Sequence, residues 1–169
     1  MTCIVGIVKD NTIYMGGDRS ASDEVSIISM VNPKVYVRDE WIYGYAGTIG
    51  IGQLMNYIDL PSPEGDIEKI IRLDICEKLK SAIDSFARDV ENEETGFVIG
   101  ARGRLFEFNI SDWGVIEITE SSIGSGSQIA LGSLYTSIHL SPIERIQLSL
   151  DAAITYSPSC QGPTDIICI

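Results

Sequence analysis

The amino-acid sequence predicts an α+β sandwich, two antiparallel sheets stacked on each other with helices covering both outer faces. Three observations point that way. Short runs rich in β-branched residues gather at the start of the chain and again in its middle. Helical patterns follow each group in pairs. Strand and helix do not alternate singly, as a parallel βαβ sheet would require. The 169 residues fit one domain, residues 1–169, and no repeat, linker or low-complexity stretch divides them.

Thr2 to Val8 and Thr12 to Gly16 read as a hairpin across the turn pair Asp10-Asn11. Gly16-Gly17 is expected to end the second strand and turn the backbone before Asp18, and the polar stretch Arg19 to Glu24 suits an exposed connection or a strand edge. Val25 to Met30, Lys34 to Val37 and Trp41 to Tyr45 continue as strands, with polar breaks at Asn32-Pro33 and Arg38-Asp39-Glu40. A helix is expected over Ile49 to Ile58, its start poor in side chains. Asp66 is placed to cap a longer helix running to about Val90, because Ile67, Ile70, Ile71, Ile75, Leu79, Ile83, Phe86 and Val90 make one apolar face. That face is core packing. After the acidic break Glu91 to Glu94, strands are expected over Gly96 to Ala101, Arg104 to Ile110 and Gly114 to Thr119, the first two joined at Arg102-Gly103. Helices follow over Gln128 to His139 and Pro142 to Tyr156, the second capped by Ser141 with proline in its first position. Asp165 to Ile169 closes the chain as a buried-looking strand.

Composition narrows the function. Twelve Lys and Arg stand against 24 Asp and Glu, a net charge of −12 that repels a phosphate backbone, and there is no basic patch for nucleic acid. No apolar run approaches the roughly 20 residues that span a bilayer, so no membrane partner is expected. Cys3, Cys76, Cys160 and Cys168 lie far apart with no C-x-x-C spacing and no signal-peptide pattern, which reads as free thiols in the cytoplasm. One histidine, His139, is too few for a histidine-based zinc site; no metal and no cofactor are expected.

The chemistry concentrates in the first 34 residues. If Met1 is removed, Thr2 carries a hydroxyl and a free amine on one residue. A threonine hydroxyl needs an adjacent base, and an α-amine has an ordinary pKa near 8, so a useful fraction is neutral at pH 7. A neighbouring ammonium such as Lys34 favours the neutral amine, and Asp18 could hold that lysine.

Thr2, Gly17-Asp18, Lys34, Ala46-Gly47 and Gly124-Ser125-Gly126 resemble the pattern of proteasome β-type and HslV-like N-terminal nucleophile (Ntn) hydrolases over essentially the whole chain. Asp18 follows Thr2 by 16 residues and Lys34 follows it by 32, the intervals of that family. The resemblance implies a four-layer αββα sandwich and a threonine-type endopeptidase. It implies Thr2 as nucleophile, Asp18 and Lys34 as tuning groups, the Gly47 N–H as oxyanion donor and Ser125 as the group orienting the amine and water. It further implies Ser22, Met30 and Gly47 as substrate contacts, peptide or unfolded protein as substrate, a homo-oligomeric ring and an ATPase unfoldase partner. In the loop after the last helix, Ser157 and Cys160 stand where the family usually has Asp and Ser; they are the candidate supporting loop. Two other readings are a catalytically inactive structural or binding subunit and a stand-alone Ntn amidase. A cysteine hydrolase using Cys3 would need a further cut.

Overall fold

In the computed structural model, residues 2–22, 26–86 and 95–169 are described. The elements are β1 (Ile4–Lys9), β2 (Thr12–Asp18), β3 (Ser20–Ser22), β4 (Ile27–Ser29), β5 (Val35–Arg38) and β6 (Trp41–Ala46). Then come α1 (Ile49–Leu54), α2 (Ile67–Ile70), a π-helical turn (Ile71–Ile75) and α3 (Cys76–Phe86). β7 (Gly96–Ala101), β8 (Arg104–Asn109), β9 (Val115–Ile118), β10 (Glu120–Ile123), α4 (Ser127–Thr136), α5 (Pro142–Tyr156) and β11 (Thr164–Cys168) complete the chain.

The described strands form one antiparallel sheet in the order β10-β1-β2-β11, a second in the order β5-β6-β7-β8-β9, and a small β3-β4 pair. Three two-residue hairpins build them: Asp10-Asn11, Asp39-Glu40 and Arg102-Gly103 all take positive φ, the backbone that matches the twist of paired strands.

Three apolar clusters correspond to three interfaces between four layers. Trp41, Tyr43, Tyr45 and Phe97 pack the larger sheet against Ile51, Ile67, Ile71 and Leu79 of the helices on its outer side. Cys3, Val5 and Ile7 pack the smaller sheet against Ala130, Leu134, Ile146 and Leu150 of α4 and α5. Ile4, Ile13, Met15, Val35, Val98 and Leu105 fill the space between the sheets. Alternation along β1 explains the split, since successive side chains point to opposite faces. The result is an αββα sandwich, as the strand and helix grouping implied.

β10 was not foreseen; it pairs with β1 in the register Ile4 to Ile123 and adds an edge to the smaller sheet. The first helix stops at Leu54 and α4 at Thr136. The long helix is interrupted by the π turn, and its expected end near Val90, like the acidic break Glu91 to Glu94 and the start of the strand at Val25, lies outside the described residues. β11 is half-buried where a buried strand was expected, because only one flank pairs, with β2. The connection after Asp18 is not uniformly exposed: Ser20 is fully buried. No described helix is long and apolar enough to cross a membrane.

Candidate functional site

The smaller sheet delivers Thr2 and Asp18 to one end of the sandwich. Thr2 precedes β1 and Asp18 closes β2, with the Asp18 N–H donating to the Cys3 carbonyl at 3.2 Å. Gly17 sits opposite Ile4, where a Cβ would come within 2.7 Å of the Ile4 side chain. The larger sheet delivers Lys34, the residue before β5, whose carbonyl accepts from the Tyr45 N–H at 3.3 Å.

These three residues converge. Lys34 Nζ donates to Thr2 Oγ1 at 2.6 Å and to Asp18 Oδ1 at 3.2 Å. Exposure is 3% for Thr2, 0% for Asp18 and 1% for Lys34, so the ion pair lies out of water. Burial lowers the proton affinity of Lys34 below that of an ordinary lysine, and the Asp18 carboxylate beside it opposes the effect. Asp18 does not depend on the lysine alone. Its Oδ1 also accepts from the Cys3 N–H at 3.0 Å, and its Oδ2 accepts from the N–H groups of Ser20 and Gln161, each at 3.3 Å, and from the Ser20 hydroxyl.

The segment after β10 holds the other side of Thr2. The Thr2 N–H donates to Ser125 Oγ at 3.2 Å, and the Thr2 carbonyl accepts from the Gly126 N–H at 3.2 Å. With Met1 attached, that Thr2 nitrogen is a peptide nitrogen. Gly124 must be glycine for two reasons: its φ is 95°, and a Cβ there would lie 2.2 Å from the Thr2 carbonyl oxygen.

Gly47, at φ 123°, follows β6 and lines a cleft of about 470 Å³ together with Gly124 and Ser125. Ser22 and Met30 do not line this cleft. Ser22 is on β3, and the Met30 N–H donates to the Arg19 carbonyl at 2.7 Å. Arg19 is a structural clamp. Its Nε donates to Asp165 at 2.6 Å and its Nη1 to the Val31 carbonyl at 2.7 Å, so it ties β11 to the chain next to Met30.

The loop after α5 meets the site mainly through its backbone. Ser157 caps α5 and its hydroxyl accepts from the Ser159 N–H at 3.4 Å. The Cys160 thiol is buried, its pKa raised first by that burial, with the Ser157 and Ser125 hydroxyls acting against it. The direct links to Asp18 are the Gln161 N–H and, through Ser20, the Ser159 carbonyl, 3.0 Å from the Ser20 hydroxyl. Ser20 and Gln161 were not singled out from sequence. A small hydroxyl residue two positions after the aspartate was the only available hint for Ser20, and a main-chain N–H leaves none.

Cys3 packs on the helix side of the sheet, and burial pushes its thiol up to about 12. A thiol held protonated by burial is a poor nucleophile. Among the described residues no three His, Cys, Asp or Glu side chains converge as a metal site would require.

No family profile matches the sequence. It is 30% identical over 190 residues to a proteasome subunit β of Parafrankia sp. strain EAN1pec and 29% identical over 184 residues to that of Frankia casuarinae, covering 98% of this chain in each case. The chain spans 66% of the length of these relatives. Its fold matches that of the Thiobacillus denitrificans BPH in complex with epoxomicin, with a TM-score of 0.82 at 19% identity over 99% of this chain and 98% of that one. It also matches eukaryotic HslV from Trypanosoma brucei, with a TM-score of 0.70 at 15% identity over 99% of this chain and 98% of that one. In sequence the chain is thus similar to proteasome β subunits, and its fold is that of the proteasome β/HslV-like Ntn hydrolases.

Proposed function

We propose that this protein is a threonine-type endopeptidase subunit whose nucleophile is Thr2, exposed by removal of Met1. The observation that carries this reading is the buried Lys34 ammonium donating to Thr2 Oγ1 at 2.6 Å while paired with Asp18. A purely structural lysine would gain little by being buried against a hydroxyl, since a buried ion pair is weak evidence for stability.

In the proposed reaction the Thr2 amine, held at Ser125 Oγ, takes the hydroxyl proton as Oγ1 bonds to the substrate carbonyl carbon. The Lys34 ammonium stabilises charge on Oγ1, and the Gly47 N–H accepts the role of oxyanion donor, an interaction worth about 3 kcal/mol in comparable sites. The amine passes the proton to the leaving nitrogen as the C–N bond breaks. Water, activated by the same amine, then hydrolyses the ester and returns the proton to Thr2. Ser22 and Met30 would contact the acyl side of the peptide, by strand addition.

Assembly into a homo-oligomeric ring is part of the proposal. Tyr57, Phe86, Tyr135, Ile138 and Tyr156 are all more than 70% exposed, and the proposal gives them the role of contacts between neighbouring subunits. An ATPase unfoldase would supply unfolded chains to such a ring.

One observation favours the catalytically inactive reading: Ser157 and Cys160 bring no carboxylate to the site. The Asp18 hydrogen bonds from Ser20 and Gln161 supply that loop's support by another route. Substitution Thr2→Ala tests the choice. Loss of peptide cleavage with unchanged assembly is expected, and retained cleavage would sink the peptidase reading.

A further inference from the structure

We infer that the cleft beside Gly47 and Ser125 is a leaving-group subsite that takes a basic side chain, with Glu107 as the residue that sets this preference. The inference rests on the peptidase reading above.

Thr2 fixes which side of the substrate the cleft receives. In acyl transfer the group that takes the nucleophile's proton must later give it to the leaving nitrogen, so that nitrogen departs next to the Thr2 amine. The Thr2 nitrogen is tied to Ser125 Oγ at 3.2 Å, and Ser125 lines the cleft. Thr2 itself, Lys34 and Asp18 at its hydroxyl, Ser22 and Met30 are not in the cleft walls, so the cleft reaches the nucleophile through Ser125 and Gly47. Chain beyond the scissile bond therefore runs over Ser125 into this space of about 470 Å³.

The charge of the cleft follows from the strand that floors it. Along β8, Leu105 packs between the sheets, and Glu107 and Asn109 continue the same face to where the two sheets part. Among the described residues Glu107 is the only charged one lining the cleft, whose other polar walls are Asn109, Ser122, Ser125 and Ser127. Its carboxylate accepts a hydrogen bond from the Ser121 hydroxyl of β10, which fixes it in place across the sheets. A fixed anion with no cation among the described lining residues favours Lys or Arg after the scissile bond and disfavours Asp or Glu. Were Glu107 only a tie between the sheets, its charge would not be read by the substrate.

The test uses the assembled, Met1-processed protein and internally quenched peptides identical up to the scissile bond, with Arg, Gln or Glu immediately after it. A half-buried ion pair predicts that kcat/KM for the Arg peptide exceeds that for the Glu peptide by about five-fold or more. Glu107→Gln keeps an acceptor for Ser121 and should flatten the preference; Glu107→Arg should invert it. Raising the salt concentration should shrink the preference in the unsubstituted protein, a measurement independent of how the variants fold. Cleavage of all three peptides at equal rates, or a preference that both variants and salt leave untouched, overturns the inference alone. Cleavage of none overturns the peptidase reading and this inference with it.

Discussion

Lys34 places an ammonium where water does not reach, and its surroundings decide what that charge does. Asp18 holds it, Thr2 Oγ1 accepts from it, and burial weakens its grip on its proton. Lys34→Met should lower kcat by about 100-fold or more, because charge on Oγ1 loses its only described cation, measured with a fluorogenic peptide. Asp18→Asn should do more harm to folding. It replaces an anion that accepts from Cys3, Ser20, Lys34 and Gln161 and takes the Asp18 counter-charge from the buried lysine, a change of about 3 kcal/mol or more in unfolding free energy by denaturant titration. The positions of Thr2, Asp18 and Lys34 were legible because their intervals survive as residue types. The supports of Asp18 were not, because Gln161 acts through its main chain and Ser20 through a hydroxyl that reads as ordinary loop polarity.

At the scale of elements, the stretch from β9 to α4 shows where local signals end. β9 and β10 are separated by Thr119 alone, yet they belong to different sheets. Glu120-Ser121-Ser122-Ile123 has neither a β-branched run nor a turn signal before it, so pairing with β1 supplies the strand. α5 is the opposite case. Ser141, Pro142 and Glu144 form a capping box with proline at the start, and the structure begins the helix at Pro142 as its sequence indicates. Ser141→Ala should cost about 1 kcal/mol of stability in thermal unfolding with little change in kcat, since that cap lies away from Thr2. Gly124→Ala should instead remove activity, because the added methyl meets the Thr2 carbonyl; kcat is the readout. The π turn has its own reason. Buried Ile67, Ile71, Ile75 and Leu79 recur every four residues, a stripe that drifts about 40° per step around an α-helix, and a wider turn takes part of that drift back.

At the scale of the molecule, the layers bury groups that must stay uncharged. Burial raises the thiols of Cys3 to about 12 and Cys76 to about 11, from 9.0, and the phenol of Tyr43 to about 12, from 10.0. Each is protonated when folded and ionised when unfolded over the interval between those values. Unfolding therefore releases protons, and stability falls as pH rises above about 9. Lys34 has the opposite sign, its unfolded form binding the proton more tightly, but it is one group against several. The midpoint of thermal unfolding should thus drop between pH 9 and pH 11, more steeply than in the Cys3→Ala variant. The four layers themselves were legible from the grouping of strands and helices. The cleft around Glu107 was not, because it forms only where two sheets that are distant in sequence part.

The proposed chemistry requires Thr2 to become an N-terminal nucleophile within this buried triad. The most direct measurement is an intact-mass and peptide-mapping experiment on natively expressed protein treated with a covalent threonine-reactive probe. A chain beginning at Thr2, with the adduct mapped to Thr2 and peptide cleavage lost in step with its formation, is the predicted result. A chain that retains Met1, carries no adduct at Thr2 and still cleaves peptides would contradict it.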